Sequence, residues 1–257
     1  MRILTRQILP VFLAVAGLVL AWGLLVRFTG VPAYLIPSPS SVWAAGWGDR
    51  ALLGSHLAAT LKIALSGFAL GALGGVAIGI ALGLSATLRR AAEPLLIASQ
   101  AIPPVVLAPI LISAMGFGAF PKILVVALGA FFPIAISASA AMRDADRYLV
   151  DLLVSMGASP FTVLRRVRLP GAIPAIVAGA KVAASYVVFS AIIAEWMGSS
   201  IGLGVYLQRS QASYRMDQLF AAVGVIAVLG VLLFWLASLI GDTVLARFRS
   251  TPNRKGV

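Results

Sequence analysis

One short segment has the G-x-S-x-G spacing of a serine nucleophile, and it is Gly198-Ser199-Ser200-Ile201-Gly202. In hydrolases this spacing places a serine on a sharp strand-to-helix turn, where a histidine base activates it. Here the pattern follows a long apolar segment, and His56 is the only histidine of the sequence. We therefore predict no hydrolase activity, and we expect His56 to be an interfacial or packed residue.

Metal and nucleotide chemistry would need residues that the sequence lacks. A metal site needs several histidine, cysteine or carboxylate ligands close together, and the sequence has one histidine and no cysteine. The phosphate-binding pattern G-x-x-x-x-G-K-[ST] does not occur, so any ATP hydrolysis must take place on another polypeptide. We expect the chain to hold no metal and no cofactor and not to be an enzyme.

Three ionisable residues, Lys62, Lys181 and Glu195, lie within or beside apolar segments. Such groups in a membrane protein face the protein interior or a wet cavity. If Lys181 lines a pathway, it favours an anionic head group such as a sulfonate, whereas a Lys181 paired with a carboxylate or a helix end says nothing about substrate. Glu195 is predicted either to shape the gate region on the extracytoplasmic side or to bind substrate.

The composition indicates that membrane helices position these residues. Hydrophobic residues make up 61% of the chain and charged residues 11%, with a mean hydropathy of +1.03. Soluble domains have roughly 25% charged residues. At about 20 residues per span, 257 residues hold about six helices, which predicts one all-α, polytopic domain over residues 1–257. The predicted spans are an N-terminal helix over 8–26 and a core over 58–244 with helices at 58–84, 95–115, 123–142, 173–197 and 219–244.

The net charge of +12 is explained by topology rather than by nucleic acid. Lys and Arg collect in short cytoplasmic loops, and with the N-terminus inside, thirteen of the twenty fall on the cytoplasmic side. These are Arg2, Arg6, Arg89, Arg90, Arg143, Arg147, Arg165, Arg166, Arg168, Arg247, Arg249, Arg254 and Lys255. We predict a multi-pass protein of the bacterial inner membrane, in contact with lipid and not with nucleic acid, with both termini in the cytoplasm.

Two helices carry residues with a special packing role. The second predicted helix has a glycine at every fourth position, Gly67, Gly71, Gly75, Gly79 and Gly83, a spacing that lets membrane helices approach closely. The partner of this glycine ladder is either another helix of the same subunit or a second subunit. The third predicted helix contains Pro103 and Pro104, which bend it and free carbonyl groups for a pathway or for bundle packing. The candidate pathway residues are Gln100, Pro103, Pro104, Lys181 and Glu195.

The segment 143–171 is too long for a minimal connection, and it predicts two short helices around a turn. Asp144 or Asp146 caps the first helix, which ends at Gly157. Ser159 caps the second helix and Pro160 is its first residue, while Leu169-Pro170-Gly171 ends it. The sequence thus predicts a compact projection from the membrane.

This loop resembles the signature of permeases of type I ATP-binding-cassette importers, which is EAA, three residues, G, nine residues and I-x-L-P. Here the matching residues are Asp151-Leu152-Leu153, then Gly157, then Val167-Arg168-Leu169-Pro170, at the same spacing. The departures are Asp for Glu, two leucines for two alanines and Val for Ile. The resemblance implies that the loop couples the chain to an ATPase, through Asp151, Gly157, Ser159, Pro160, Phe161, Leu164, Arg165, Leu169 and Pro170.

Further runs of sequence resemble the branch of these permeases that handles nitrate, sulfonates, taurine and thiamine precursors. They are Met156-Gly157-Ala158-Ser159-Pro160, Ala194-Glu195-Trp196-Met197-Gly198 and Ile102-Pro103-Pro104. The resemblance implies a permease homodimer, two cytoplasmic ATPase subunits that hold ATP and Mg²⁺, and an extracytoplasmic substrate-binding protein. The alternative is an ATP-independent secondary transporter or channel, although the sequence shows neither inverted repeats nor a selectivity-filter loop.

Overall fold

The fold was determined as a computed structural model that describes residues 2–99 and 103–249. Within these ranges every regular element is helical. In chain order the helices are α1 (Arg2–Thr29), α2 (Pro39–Gly48), α3 (Arg50–Leu84), α4 (Ala86–Ser99), α5 (Ala108–Met115), α6 (Ala119–Arg143), α7 (Arg147–Ser155), α8 (Pro160–Val163), α9 (Leu169–Trp196), α10 (Leu203–Ala212) and α11 (Met216–Arg249). The predicted all-α class is confirmed.

Four helices of the described chain are long and apolar enough to cross a membrane, and they are Arg50–Leu84, Ala119–Arg143, Pro160–Trp196 and Met216–Ala246. They correspond to the second, fourth, fifth and sixth predicted spans. A shorter apolar helix, Leu13–Thr29, lies within α1 and corresponds to the first.

The prediction of one continuous third span over residues 95–115 is wrong. Helix α4 ends at Ser99, a 3-10 turn covers Pro104–Leu107, and α5 follows for only eight residues. Two consecutive prolines explain the break, because Pro103 and Pro104 have no amide hydrogen to donate and each disfavours helical geometry in the residue before it. The described residues of this region therefore form α4, a 3-10 turn and the short helix α5 rather than one continuous span.

The core of the bundle is formed by α3, α6 and α9. Its buried side chains are small or β-branched, and they are Ile63, Ala64, Val126, Ala130, Ile134, Ala183, Val187 and Ala191. A second buried cluster joins α3 and α9 to α10 and α11 through Leu53, Val188, Leu203, Tyr206 and Leu229. The two clusters pack α9 against α3 and α6 and against α10 and α11.

The glycine ladder of α3 packs against α6 of the same chain. All five glycines are buried, and side-chain or backbone atoms of α6 occupy the space that a Cβ would need. A methyl group on Gly75 would lie 2.8 Å from the carbonyl oxygen of Phe131 and 3.0 Å from the Cβ of Ile134. Of the two interpretations left open by the sequence, contact within one subunit is therefore the one that the structure contains.

A short helix, α2, leads into the bundle at the end where α3 begins. The hydroxyl of Ser38 accepts a hydrogen bond from the Ser41 amide at 3.2 Å, and Pro39 is the first helical residue, so a local cap begins the helix. Trp43 and Trp47 are exposed and stack with ring centroids 6.4 Å apart. Paired exposed tryptophans are typical of helices at the edge of a bilayer.

Candidate functional site

The loop of residues 143–171 begins with a well-capped helix. A carboxylate oxygen of Asp146 accepts hydrogen bonds from the amides of Tyr148 at 2.9 Å and Leu149 at 3.3 Å, which makes Asp146 the cap of α7 and decides between the two predicted candidates. These bonds satisfy amide groups that have no partner within the helix. The first predicted helix of the loop is therefore in place and held by local contacts.

The turn after α7 depends on Gly157, which has a φ of 77°. This left-handed conformation ends the helix and is readily adopted by glycine. The chain then enters α8, where the hydroxyl of Ser159 accepts from the Thr162 amide at 3.3 Å and Pro160 is the first helical residue. The predicted roles of these three residues in shaping the turn agree with the geometry.

The predicted end of the second helix at Leu169-Pro170-Gly171 is wrong. Residues Leu164–Arg168 form a π-helical segment that passes without interruption into α9, so the helix continues from Pro160 to Trp196. The Leu169 amide donates to the carbonyl of Leu164, five residues earlier. Since Pro170 has no amide hydrogen for the carbonyls before it, this wider turn accommodates the proline without ending the helix.

The surface of the loop combines apolar and charged side chains that remain exposed. Phe161 has 68% of its side chain exposed although the neighbouring Val163 is buried. Asp151 and Arg165 are also exposed, whereas Leu164 is half-buried. The loop therefore presents an aromatic side chain and charges of both signs on a rigid support.

The candidate pathway residues do not form one cluster. Gln100 lies outside the described residues, Pro104 is the first residue of the 3-10 turn before α5, and Pro103 directly precedes that turn. Lys181 donates to a carboxylate oxygen of Asp242 in α11 at 2.9 Å. This ion pair is the second of the two arrangements considered for Lys181, and it neutralises the charge that would otherwise favour an anion.

Glu195 lies 1% exposed at the end of the bundle opposite the loop, where its carboxylate joins three elements. One oxygen accepts from the Thr60 hydroxyl of α3 at 2.7 Å, and the other accepts from the Gly204 amide of α10 at 2.8 Å. The Thr60 oxygen also accepts from the Leu203 amide at 2.8 Å. The carboxylate is thus buried, and each of its oxygens is hydrogen-bonded to the protein.

His56 and the G-x-S-x-G segment belong to the same network. The Nδ1 atom of His56 lies 2.9 Å from the amide nitrogen and 2.7 Å from the carbonyl oxygen of Gly202, so it bonds to that backbone in either tautomer. The segment is a turn in which Gly198 and Gly202 have φ values of 143° and 140°. His56 is therefore a packed residue, as expected, and its bonded nitrogen is directed at the Gly202 backbone.

Two residues at this end of the bundle, Thr60 and Lys122, are not among the predicted site residues. Thr60 follows His56 by four residues, a spacing that places both on one helix face, and this is the signal that could have found it. Lys122 directly precedes the predicted span over 123–142 but lies within α6, only 4% exposed. Its ammonium group donates to the Ser199 hydroxyl at 2.9 Å and to the Phe117 carbonyl at 3.3 Å. The bond to Ser199 joins residues 77 positions apart, and no local sequence pattern specifies such a pair.

At the same end, α10 is tied to the junction between α2 and α3. The hydroxyl of Tyr206 donates to a carboxylate oxygen of Asp49 at 2.7 Å. Burial raises the pKa of Tyr206 far above its usual value, and the hydrogen bond to Asp49 raises it further. The hydroxyl consequently keeps its proton and remains a donor.

Known proteins that resemble this chain in sequence and fold are membrane components of transport systems. Residues 75–250, more than half of the chain, match the family described as the binding-protein-dependent transport system inner membrane component. The chain belongs to this family. It is a permease subunit of an ATP-binding-cassette importer and a multi-pass protein of the inner membrane, so the family inferred from the loop signature is confirmed.

Individual relatives cover nearly the whole permease. The riboflavin transport system permease protein RibX of Chloroflexus aurantiacus is 33% identical over 245 residues, which are 95% of this chain and 90% of RibX. The taurine transport system permease protein TauC of Escherichia coli is 31% identical over 239 residues, which are 90% of this chain and 86% of TauC. An inward-facing structure of the MetNI methionine ABC transporter has the same fold, with a TM-score of 0.66 and 23% identity over 78% of this chain and 98% of its own.

Proposed function

We propose that the permease forms, as a homodimer, the translocation pathway for a small polar or anionic solute. An extracytoplasmic binding protein delivers the solute, and two cytoplasmic ATPase subunits hold ATP and Mg²⁺ and drive transport. The named solutes of relatives include riboflavin and taurine, which differ in size and charge, so homology alone does not select the solute. In this arrangement the loop of residues 143–171 faces the cytoplasm.

The observation that carries the proposal is the continuity between the loop and α9. The helix from Pro160 to Trp196 has 37 residues, and at about 1.5 Å per residue it is about 55 Å long, enough to cross the bilayer. Phe161 lies exposed near one end, and the buried Glu195 lies near the other. A displacement of the loop by an ATPase is therefore transmitted along one helix to the opposite end of the bundle.

The loop fits a protein partner because its exposed side chains resemble an interface. Aromatic anchors account for much of the binding energy at interfaces, and surrounding charges set orientation. Phe161 would supply the anchor, while Arg165, Arg166 and Asp151 would contact charged groups of the ATPase. Transport then requires that the ATPase binds the loop differently in its two states, because only differential affinity shifts a conformational equilibrium.

The test is to replace Phe161 by alanine in the assembled importer. We expect Phe161→Ala to reach the membrane at normal abundance and to lose the ATPase in detergent pull-downs, since truncating an aromatic anchor costs about 2 kcal/mol or more, or roughly 30-fold in affinity. Phe28→Ala is the matched control, because Phe28 is 80% exposed on α1 and lies outside the loop. Full ATPase retention and ATP-dependent uptake by Phe161→Ala would contradict the proposal.

A second pair of variants tests the shape of the loop. Gly157→Val should displace α8 and abolish ATP-dependent uptake, because a β-branched residue resists the left-handed conformation. Gly157→Asn is the control, since asparagine adopts this conformation more readily. Uptake by the purified permease alone, without any ATPase, would instead favour a secondary transporter or channel.

A further inference from the structure

A pocket of about 730 Å³ opens at the end of the bundle opposite the loop, between α3, the start of α6 and the G-x-S-x-G turn. Its volume is within the range of small-molecule sites, roughly 300–1,000 Å³. Residues that line it include Lys62, Lys122, Ser199, Phe117, Ile123 and Ile201. None of the described residues that line the pocket is acidic.

The two lysines differ in how far their charge is already satisfied. Lys122 is buried, donates to the Ser199 hydroxyl and interacts electrostatically with Glu195 behind the pocket wall. Lys62 is exposed and has no hydrogen bond or ion pair with any of residues 2–99 and 103–249. The ammonium group of Lys122 is therefore engaged with the protein, and the pocket keeps the ammonium group of Lys62 without a partner among the described residues.

The remaining wall determines what kind of anion would fit. Phe117, Ile123 and Ile201 give the pocket an apolar side next to the lysines and the Ser199 and Ser200 hydroxyls. A small inorganic anion would lose hydration against that apolar surface without gaining contacts there, whereas an organic anion would bury its carbon skeleton. We propose that this pocket binds an organic anion, with its acid group between Lys62 and Lys122 and its carbon skeleton against Phe117 and Ile201.

The inference rests on the proposed function, because the pocket would then face the side from which the solute is delivered. The solute class would be organic sulfonates or carboxylates. The pocket would be the place where such a solute first contacts the permease. Bound solute would bridge α3, α6 and the turn that follows α9. Since α9 continues into the loop, occupancy of the pocket and docking of the ATPase would act on the same helix.

The local potential of the pocket can be measured with a thiol reporter, because the chain has no cysteine. Ser200→Cys places a thiol in the pocket lining, and Ser55→Cys, an exposed serine of α3 outside the lining, is the matched control. In the complete importer, the rates of reaction with an anionic and a cationic methanethiosulfonate reagent are compared. We expect the anionic-to-cationic rate ratio at residue 200 to exceed that at residue 55 by about fivefold or more.

The contribution of Lys62 is tested in the Ser200→Cys background. Lys62→Gln should lower the rate ratio at least about threefold, while Arg50→Gln, which removes a positive charge from the start of α3 outside the pocket, should leave it unchanged. Because Lys62 is exposed and unpartnered, its replacement leaves the buried bundle intact. Equal rate ratios at residues 200 and 55, or no effect of Lys62→Gln, would overturn the proposal.

The occupant is tested by protection of the same thiol from a neutral reagent, methyl methanethiosulfonate. We expect 1-pentanesulfonate to slow the reaction of Ser200→Cys about fivefold or more, and 1-pentanesulfonamide and nitrate to have no effect. Equal protection by nitrate would contradict an organic anion. Protection that depends on anionic lipid in nanodiscs and not on pentanesulfonate would assign the pocket to a lipid head group and overturn the solute proposal.

The same preparations separate this inference from the proposed function. Retention of the ATPase subunits with no anion preference at residue 200 would refute the pocket and leave the importer assignment intact. Loss of the ATPase from the unmodified permease would refute the importer arrangement, while the thiol rates would still report whether the pocket attracts anions.

Discussion

At the scale of single residues, the buried polar groups show how a carboxylate is accommodated away from water. A buried carboxylate is costly unless protein donors replace the hydrogen bonds of water. Glu195 receives them from the Thr60 hydroxyl and the Gly204 amide. Thr60 is central, because its oxygen also accepts from the Leu203 amide, and a hydroxyl with one hydrogen gives it to the carboxylate at 2.7 Å rather than to the His56 carbonyl at 3.1 Å.

We predict that Thr60→Val lowers the stability of the permease although it preserves side-chain shape. The variant would leave the Leu203 amide without its acceptor and Glu195 without one donor, and each buried unsatisfied group costs about 1–3 kcal/mol. The measurement is the midpoint of thermal unfolding in detergent. Thr29→Val is the control, because Thr29 is exposed and bonds only to the Leu25 carbonyl within its own helix. An unchanged midpoint for Thr60→Val would show that the network contributes little.

At the scale of elements, the contact between α3 and α6 determines how closely the helices of the core approach. Lipid supplies no hydrophobic drive for helix association, so close packing of small residues takes its place. Gly75 is directed at the backbone of α6, whereas the adjacent Gly74 is directed at the ring of Phe131, 3.6 Å from the position of an added Cβ. Two neighbouring glycines of one helix thus differ in how much room they have.

We predict that Gly75→Ala destabilises the permease by about 1–3 kcal/mol and that Gly75→Leu prevents normal assembly or transport, because the added atoms collide with α6. Gly74→Ala should be neutral or stabilise by a few tenths of a kcal/mol through helix propensity. Thermal unfolding in detergent and uptake by the assembled importer are the measurements. Equal effects of Gly74→Ala and Gly75→Ala would contradict a close contact at Gly75.

At the scale of the whole molecule, the bundle has two chemically distinct ends. The loop end carries Arg165 and Arg166 beside the exposed Phe161, and the opposite end carries the Glu195 network and the pocket with Lys62. Because α6 begins at the pocket and ends at the loop while α9 runs the other way, the two ends are separated by the full length of the bundle. The distribution of Lys and Arg then sets the orientation in the membrane.

We predict that reporters fused after Val257 and inserted between Met156 and Ser159 are both cytoplasmic, because thirteen of the twenty basic residues fall on that side. A reporter inserted between Ser213 and Tyr214, in the exposed turn between α10 and α11, should lie on the opposite side. Alkaline phosphatase and green fluorescent protein fusions distinguish the two compartments. The same location for all three reporters would overturn the proposed orientation.

Features that depend on neighbouring residues and on composition could be predicted from the sequence. The caps at Asp146 and Ser159 and the turn at Gly157 were predictable because their partners lie within three residues. Four long spans and the membrane class followed from runs of apolar residues. The loop signature was enough to identify the family, since its spacing is local as well.

Only the tertiary structure decided which distant residues meet. Lys181 and Asp242 are separated by 61 positions and Thr60 and Glu195 by 135, and no periodicity within one helix specifies such partners. The sequence also does not show which prolines interrupt a helix. At Pro170 a π-helical turn lets the helix continue, whereas at Pro103 the helix is broken. A proline only removes a donor and restricts its neighbour, and the packing of the surrounding helices decides whether a wider turn or a break satisfies the freed carbonyls.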